Sequence, residues 1–89
     1  MNNVIYKQLN IWKKVSNKQL ICYRLFERLS DNSYAVQSVD YFSIPIDEKI
    51  FMQFNKQLIE LFLETNIEER EKFYSSIEEA IKAFDNDFT

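Results

Sequence analysis

Glycine and histidine are absent from this sequence, and proline and cysteine occur once each, as Pro45 and Cys22. A lone cysteine cannot close an internal disulfide, which excludes a disulfide-stapled scaffold. Without histidine the chain lacks the commonest general base, so Ser-His and Cys-His nucleophile pairs are excluded. Without glycine it lacks the loops through which backbone amides approach phosphate groups. Most familiar catalytic arrangements are therefore ruled out.

The lack of histidine and the presence of a single cysteine also exclude a zinc site, because one cysteine without histidines cannot supply enough ligands. Carboxylate chemistry remains, and its best candidate is Asp40, which we expect beside Tyr23 in the sheet. A buried carboxylate paired with a tyrosine hydroxyl is most simply a satisfied structural pair. We therefore predict a protein that is not an enzyme, with no catalytic, cofactor-binding or metal-binding residues.

Cys22 has two interpretations. Free cysteines are usually small packing residues, but Arg24 and Arg28 flank this one on the same predicted face. Neighbouring cations lower a thiol pKa and make the thiol reactive. The sequence leaves both interpretations open and favours packing.

The chain has 89 residues, of which 46% are hydrophobic, including eight Phe and five Tyr. This length and composition predict one small folded domain over residues 1–89. The N-terminal segment lacks the basic region and apolar core of a signal peptide. No stretch approaches the roughly 18 apolar residues that cross a bilayer. We expect a soluble cytoplasmic protein without membrane contacts.

Three strands are predicted, at about 10–15, 19–29 and 34–44, from alternating apolar residues between turn-like breaks. The first is ambiguous, because Ile5, Leu9 and Trp12 also fit one face of a helix. We prefer a strand there, although residues 4–15 fit either state.

A two-residue turn at Asp31 and Asn32 would set the register of the hairpin between the second and third strands. Leu25 would then face Ser38, and Tyr23 would face Asp40. The predicted core face holds Ile21, Tyr23, Leu25, Leu29, Tyr34, Val36 and Phe42, interrupted by Glu27, Ser38 and Asp40. The predicted outer face holds Cys22, Arg24, Phe26, Arg28, Ala35, Gln37, Val39 and Tyr41.

Helices are predicted at about 48–65, 67–74 and 77–86, from capping residues followed by apolar residues at helical spacing. Asp47 is the N-cap of the first, Asn66 begins the second, and Ser76 with Glu79 forms a capping box for the third. The order predicts an α+β domain, with a three-stranded antiparallel sheet and helices packed on one face. Helix 48–65 is apolar beyond a single stripe, which indicates a central position or cover by a partner.

Two surfaces are candidates for binding a partner. The outer sheet face combines Arg24, Phe26, Arg28 and Tyr41, a composition typical of binding hot spots. The C-terminal half presents acidic residues that would attract a basic protein: Glu68, Glu69, Glu71, Glu78 and Glu79. Each surface has an ordinary alternative, as a solvated face of a folded domain.

Charge is divided unevenly along the chain. Residues 1–28 carry a net charge of +5 and residues 29–89 a net charge of −8, within a total of −3. The acidic part predicts a small protein-binding module that neutralises a basic partner protein, such as a nuclease or nucleic-acid-binding toxin. Bacterial immunity proteins and antitoxins are similar in size and charge, a likeness of class without a shared motif.

Two alternatives remain open at this point. The outer face could bind single-stranded nucleic acid, with Phe26 and Tyr41 stacking on bases and Arg24, Arg28, Lys13 and Lys14 on phosphates. The overall acidity counts against it. A structural homodimer, formed through the strands or through helix 48–65, is compatible with either role.

Overall fold

The computed structural model describes residues 4–87. Three strands, β1 (Tyr6–Lys14), β2 (Gln19–Arg28) and β3 (Ser33–Ser43), form an antiparallel sheet in the order β1-β2-β3. Three helices follow: α1 (Glu48–Glu64), α2 (Ile67–Arg70) and α3 (Ile77–Asp87). The predicted α+β fold class and the preference for a first strand are confirmed. Strand β1 begins four residues earlier than predicted, and α2 ends at Arg70 instead of residue 74.

The hairpin register differs from the prediction at its turn. Arg28 pairs with Ser33, so residues 29–32 form a four-residue connection in place of a two-residue turn. Asp31 holds it, because its Oδ1 accepts from the Ser33 amide at 3.2 Å and from the Ser33 hydroxyl at 2.6 Å. Asn32 has a φ of 54°, a conformation that asparagine tolerates better than most residues. The predicted pairing of Leu25 with Ser38 is therefore wrong, and Leu25 faces Val36.

A bulge at Gln37 then shifts the second half of β3. Leu25 pairs with Val36 and Arg24 pairs with Ser38, which leaves Gln37 as the extra residue. Its side chain donates to the Leu58 carbonyl of α1 at 3.1 Å. Beyond the bulge, the residues of β3 lie on the opposite face from the one predicted, because side chains alternate along a strand.

The two sheet faces are named here by the helix that covers each. The α3 face carries Tyr23, Leu25 and Val36, which pack with Ala80 of α3. The α1 face carries Phe26 and Ala35, which pack with Leu58 of α1 and Ile67 of α2. The bulge assigns Val39 to the α3 face and Phe42 to the α1 face, where its ring meets Phe51 and Phe54.

The prediction that the helices lie on one face is therefore wrong. The helices cover both faces of the sheet, because the chain passes from the α1 face to the α3 face around the outer edge of β3. Tyr34 and Tyr74 exchange two backbone hydrogen bonds of 2.7 Å at that crossing. As a result β2 is buried on both sides, and its five residues 22–26 are all buried.

Helix starts follow the predicted caps. The Asp47 carboxylate accepts from the Lys49 amide at 2.9 Å, and the Asn66 side chain accepts from the Glu68 amide at 3.0 Å. The Ser76 hydroxyl accepts from the Glu79 amide at 3.1 Å. These bonds satisfy amides that a helix leaves unpaired in its first turn. Within residues 4–87, no helix is long and apolar enough to cross a membrane.

Candidate protein-binding surface

Helix α1 lies on the sheet through large side chains. Phe54, Leu58 and Phe62 recur every four residues and therefore lie on the same side of the helix. Phe62 stacks on Phe26 with ring centroids 4.2 Å apart, and Phe54 meets Phe42 edge-on at 5.5 Å. Leu58 alone is buried among the seventeen described residues of α1. The rest of this apolar helix is thus left partly open.

A second set of apolar residues lies on the flank of α1 that is turned toward β1. Met52, Ile59 and Leu63 are separated by seven and four residues, which places them on one side of the helix. Their exposed fractions are 69%, 59% and 78%. We call these three residues the α1 ridge. Apolar side chains grouped in this way, unlike single ones scattered over a surface, mark an interaction site.

A groove runs between the α1 ridge and strand β1. Its volume is about 500 Å³, and Ile59 and Leu63 of the ridge form part of its wall. Phe26 and Arg24 of β2 lie at its base, and Gln8 and Asn10 of β1 form the opposite side. A groove of this size, with apolar walls and a few converging polar groups, is typical of a binding site.

Arg24, at the base of the groove, is part of a buried polar network. The residue is 2% exposed, and its Nε donates to Asp40 Oδ2 at 2.9 Å. Its Nη1 donates to Asn10 Oδ1 at 3.0 Å, and that oxygen also accepts from Gln8 Nε2 at 2.6 Å. Among the described residues, Arg24 Nη2 has no hydrogen-bond partner. The predicted pairing of Asp40 with Tyr23 is wrong, since Tyr23 donates instead to Asp85.

The residues predicted for the outer sheet face are divided between the two faces of the sheet. Arg24 and Phe26 lie beneath α1, and Phe26 is only 6% exposed. Tyr41 is 67% exposed but lies on the opposite face, where it pairs with Ile21. A base could not stack on Phe26 while α1 covers it, so this face gives no support to the nucleic-acid interpretation.

The Arg28 side chain is occupied by contacts within the fold. Its guanidinium donates to Asp31 at 2.9 Å and to Glu68, and it lies 4.3 Å above the Phe73 ring. Tyr6 donates to the same Glu68 carboxylate at 2.6 Å. The pKa of Tyr6 is raised to about 12, chiefly by burial and secondly by this hydrogen bond. Arg28 and Glu68 thus tie the hairpin to α2.

The five predicted acidic residues divide into two groups. Glu68 and Glu71 are half-buried and form ion pairs with Arg28 and Arg70. Burial raises the pKa of Glu71. Glu69, Glu78 and Glu79 are exposed, and Glu79 also accepts a hydrogen bond from the Ser75 hydroxyl. The exposed group is the part of the acidic surface that a partner could reach.

Cys22 is fully buried on the α1 face. Burial raises the pKa of its thiol, and this outweighs the opposing effect of the Arg24 charge. A buried, protonated thiol is a poor nucleophile, which agrees with the packing interpretation. Within residues 4–87, no group of three or more carboxylates and thiols could hold a metal ion.

The sequence interpretation missed the groove. Gln8, Asn10 and Asn55 could not be predicted to line it, because their positions depend on the register of β1 and on the placement of α1. The excess of apolar residues in helix 48–65 was the available signal, and it pointed to this helix. Comparison of the chain with protein-family models, curated proteins and solved structures finds no match.

Proposed function

We propose that this chain is a non-catalytic protein-binding module whose contact surface is the α1 ridge together with the adjoining groove. The observation that carries the proposal is the grouped exposure of Met52, Ile59 and Leu63. Protein interfaces combine a buried apolar centre with a polar rim. Here the ridge would form the centre, and Gln8, Asn10 and the exposed charges of α1 would form the rim.

The partner is proposed to be a basic protein. Glu60 and Glu64 are exposed beside Ile59 and Leu63, and residues 29–89 carry most of the negative charge of the chain. Complementary charge speeds association and selects among partners. An apolar patch rimmed by lysine and arginine is therefore the surface that would fit. If the partner acts on nucleic acid, cover of its basic surface would inhibit it, as an immunity protein or antitoxin does.

Affinity capture with matched variants tests this proposal. Leu63→Ser and Ile59→Ser alter exposed side chains, so their unfolding free energies should stay within about 0.5 kcal/mol of the parent. Lys82→Gln serves as a control, because Lys82 is exposed on α3 away from the ridge and belongs to neither proposed contact surface. A basic protein captured by the parent and the control, and lost with both ridge variants, is the expected result. Equal capture by all four proteins would overturn the proposal.

A homodimer through α1 is the second candidate, and the same exposed ridge favours it. Sedimentation velocity at micromolar concentration separates the two. A monomer that still loses its captured partner upon Leu63→Ser supports binding of a different protein. A dimer that Leu63→Ser dissociates would assign the ridge to a second copy of the chain and remove the proposed contact surface.

A further inference from the structure

An open pocket of about 400 Å³ lies on the α3 face, on the opposite side of the sheet from the α1 ridge. Three aromatic residues contribute to its lining, Tyr23 and Tyr41 from the sheet and Phe84 from α3. Asp85 of α3 supplies a carboxylate, and Lys13 of β1 also borders the pocket. Tyr23 and Phe84 also belong to the core that packs under α3, whereas Tyr41 extends into solvent.

The rings of Tyr23 and Phe84 form the packed base of the pocket, and Tyr41 forms its exposed side. Tyr23 is 4% exposed, and its ring meets Phe84 edge-on with centroids 6.4 Å apart. Tyr41 is largely exposed. The register places Tyr41 opposite Ile21 and Val39 opposite Tyr23, so both tyrosine rings project from the same face. The bulge at Gln37 is responsible for this arrangement.

The carboxylate of Asp85 is only partly used. The Tyr23 hydroxyl lies 3.1 Å from one of its oxygens and 3.2 Å from the other. Among the ion pairs of residues 4–87, none includes Asp85. A carboxylate can accept about four hydrogen bonds. Asp85 therefore keeps acceptor capacity beside the aromatic rings.

Aromatic faces next to a carboxylate form a site for a cation, because the ring quadrupole and the negative charge both attract it. We propose that this pocket binds an arginine side chain presented by a basic protein segment. A guanidinium is planar, so it can stack on a tyrosine ring while it donates two hydrogen bonds to a carboxylate. An ammonium offers no planar surface to stack, and it holds its hydration more strongly.

The surrounding charge favours the same ligand. Helix α3 carries Glu78, Glu79, Asp85 and Asp87 against the single base Lys82, so the pocket lies beside an acidic helix. Such a field attracts a basic segment before contact. Lys13 acts against binding. Within the described chain its ammonium forms no ion pair and is not among the cations that lie over an aromatic ring.

Titration with a short peptide tests the site without any knowledge of the natural partner. The probe is an acetylated, amidated Gly-Arg-Gly peptide, followed by heteronuclear NMR. Its control is the same peptide with citrulline, which keeps the shape of arginine and loses the charge. We expect saturable shifts around Tyr41 and Asp85, with dissociation in the millimolar range, and at least fivefold weaker binding of the citrulline peptide.

Variants connect the shifts to the pocket. Tyr41→Ala and Asp85→Asn should each weaken binding at least fivefold, whereas Lys13→Gln should strengthen it roughly twofold by removing a nearby like charge. Leu63→Ser should bind as the parent does, because the pocket is independent of the α1 ridge. No saturable binding, equal binding of citrulline, or unchanged affinity in Asp85→Asn would each overturn the inference, whatever the fate of the proposed function.

Discussion

Helices α1 and α3 cover opposite faces of the same sheet but differ in how closely they pack. Helix α3 lies against the sheet through Ala80, a small side chain that is almost fully buried. Helix α1 rests on the rings of Phe54 and Phe62, which hold its flank away from β1 and leave the groove. The same sheet thus carries one helix in close contact and one raised helix, whose apolar side chains stay exposed along one flank.

The largest effect is expected at the buried ion pair beneath α1. Asp40→Asn leaves the Arg24 guanidinium charged and unpaired at a site that is 2% exposed. Removal of one partner of a buried pair costs about 3–5 kcal/mol. Urea unfolding followed by Trp12 fluorescence should show a loss of this size. Asp31→Asn, at the exposed partner of Arg28, should change stability far less. Equal losses would indicate that the Arg24–Asp40 pair is no more buried in solution than its exposed counterpart.

A smaller effect should separate the two helices directly. Ala80→Leu forces three extra carbons between α3 and the sheet, which should cost about 1–3 kcal/mol. Asn55→Phe also adds three non-hydrogen atoms, but at the wall of the groove, where space is available, and should change stability by less than about 0.5 kcal/mol. The two unfolding midpoints in urea are the measurement. Equal losses would mean that α1 packs as closely as α3.

The smallest expected effect concerns alkaline pH and the contact between β1 and α2. The pKa of Tyr6 is raised from 10.0 to about 12 in the folded state. The folded protein therefore holds the phenolic proton more tightly than the unfolded chain does. This contribution to stability is complete below about pH 10 and is lost as pH rises toward 12. Unfolding free energies measured across that range should fall more steeply for the parent than for Tyr6→Phe. Identical slopes would contradict both the burial of the Tyr6 hydroxyl and its hydrogen bond to Glu68.

Local features of the fold could be predicted from the sequence, because their causes are local. Asp47, Asn66 and Ser76 each mark a helix start through a side chain that reaches an amide two or three residues ahead. Alternation of apolar residues located β2 and β3 within one residue at each end. These signals depend on neighbours along the chain.

The candidate site could be predicted only in part. The unusual apolar content of helix 48–65 identified α1 as a helix in need of cover, and that is where the ridge lies. The groove escaped prediction because Gln8, Arg24 and Asn55 come from three separate elements. No glycine or proline marks the bulge at Gln37 in the sequence, so the predicted faces of the β3 residues beyond it were wrong.

The bulge at Gln37 determines how the sequence of β3 is divided between the two faces of the sheet. Because the bulge absorbs Gln37, the side chains from 38 to 43 lie on the sides of the sheet that they would take if Val36 and Ser38 were consecutive residues. Deletion of Gln37 would therefore leave Tyr41 on the α3 face and Asp40 on the α1 face, and would remove only the bulge and its hydrogen bond to the Leu58 carbonyl. A change of length at this point in β3 is absorbed locally and leaves the contents of both surfaces unchanged.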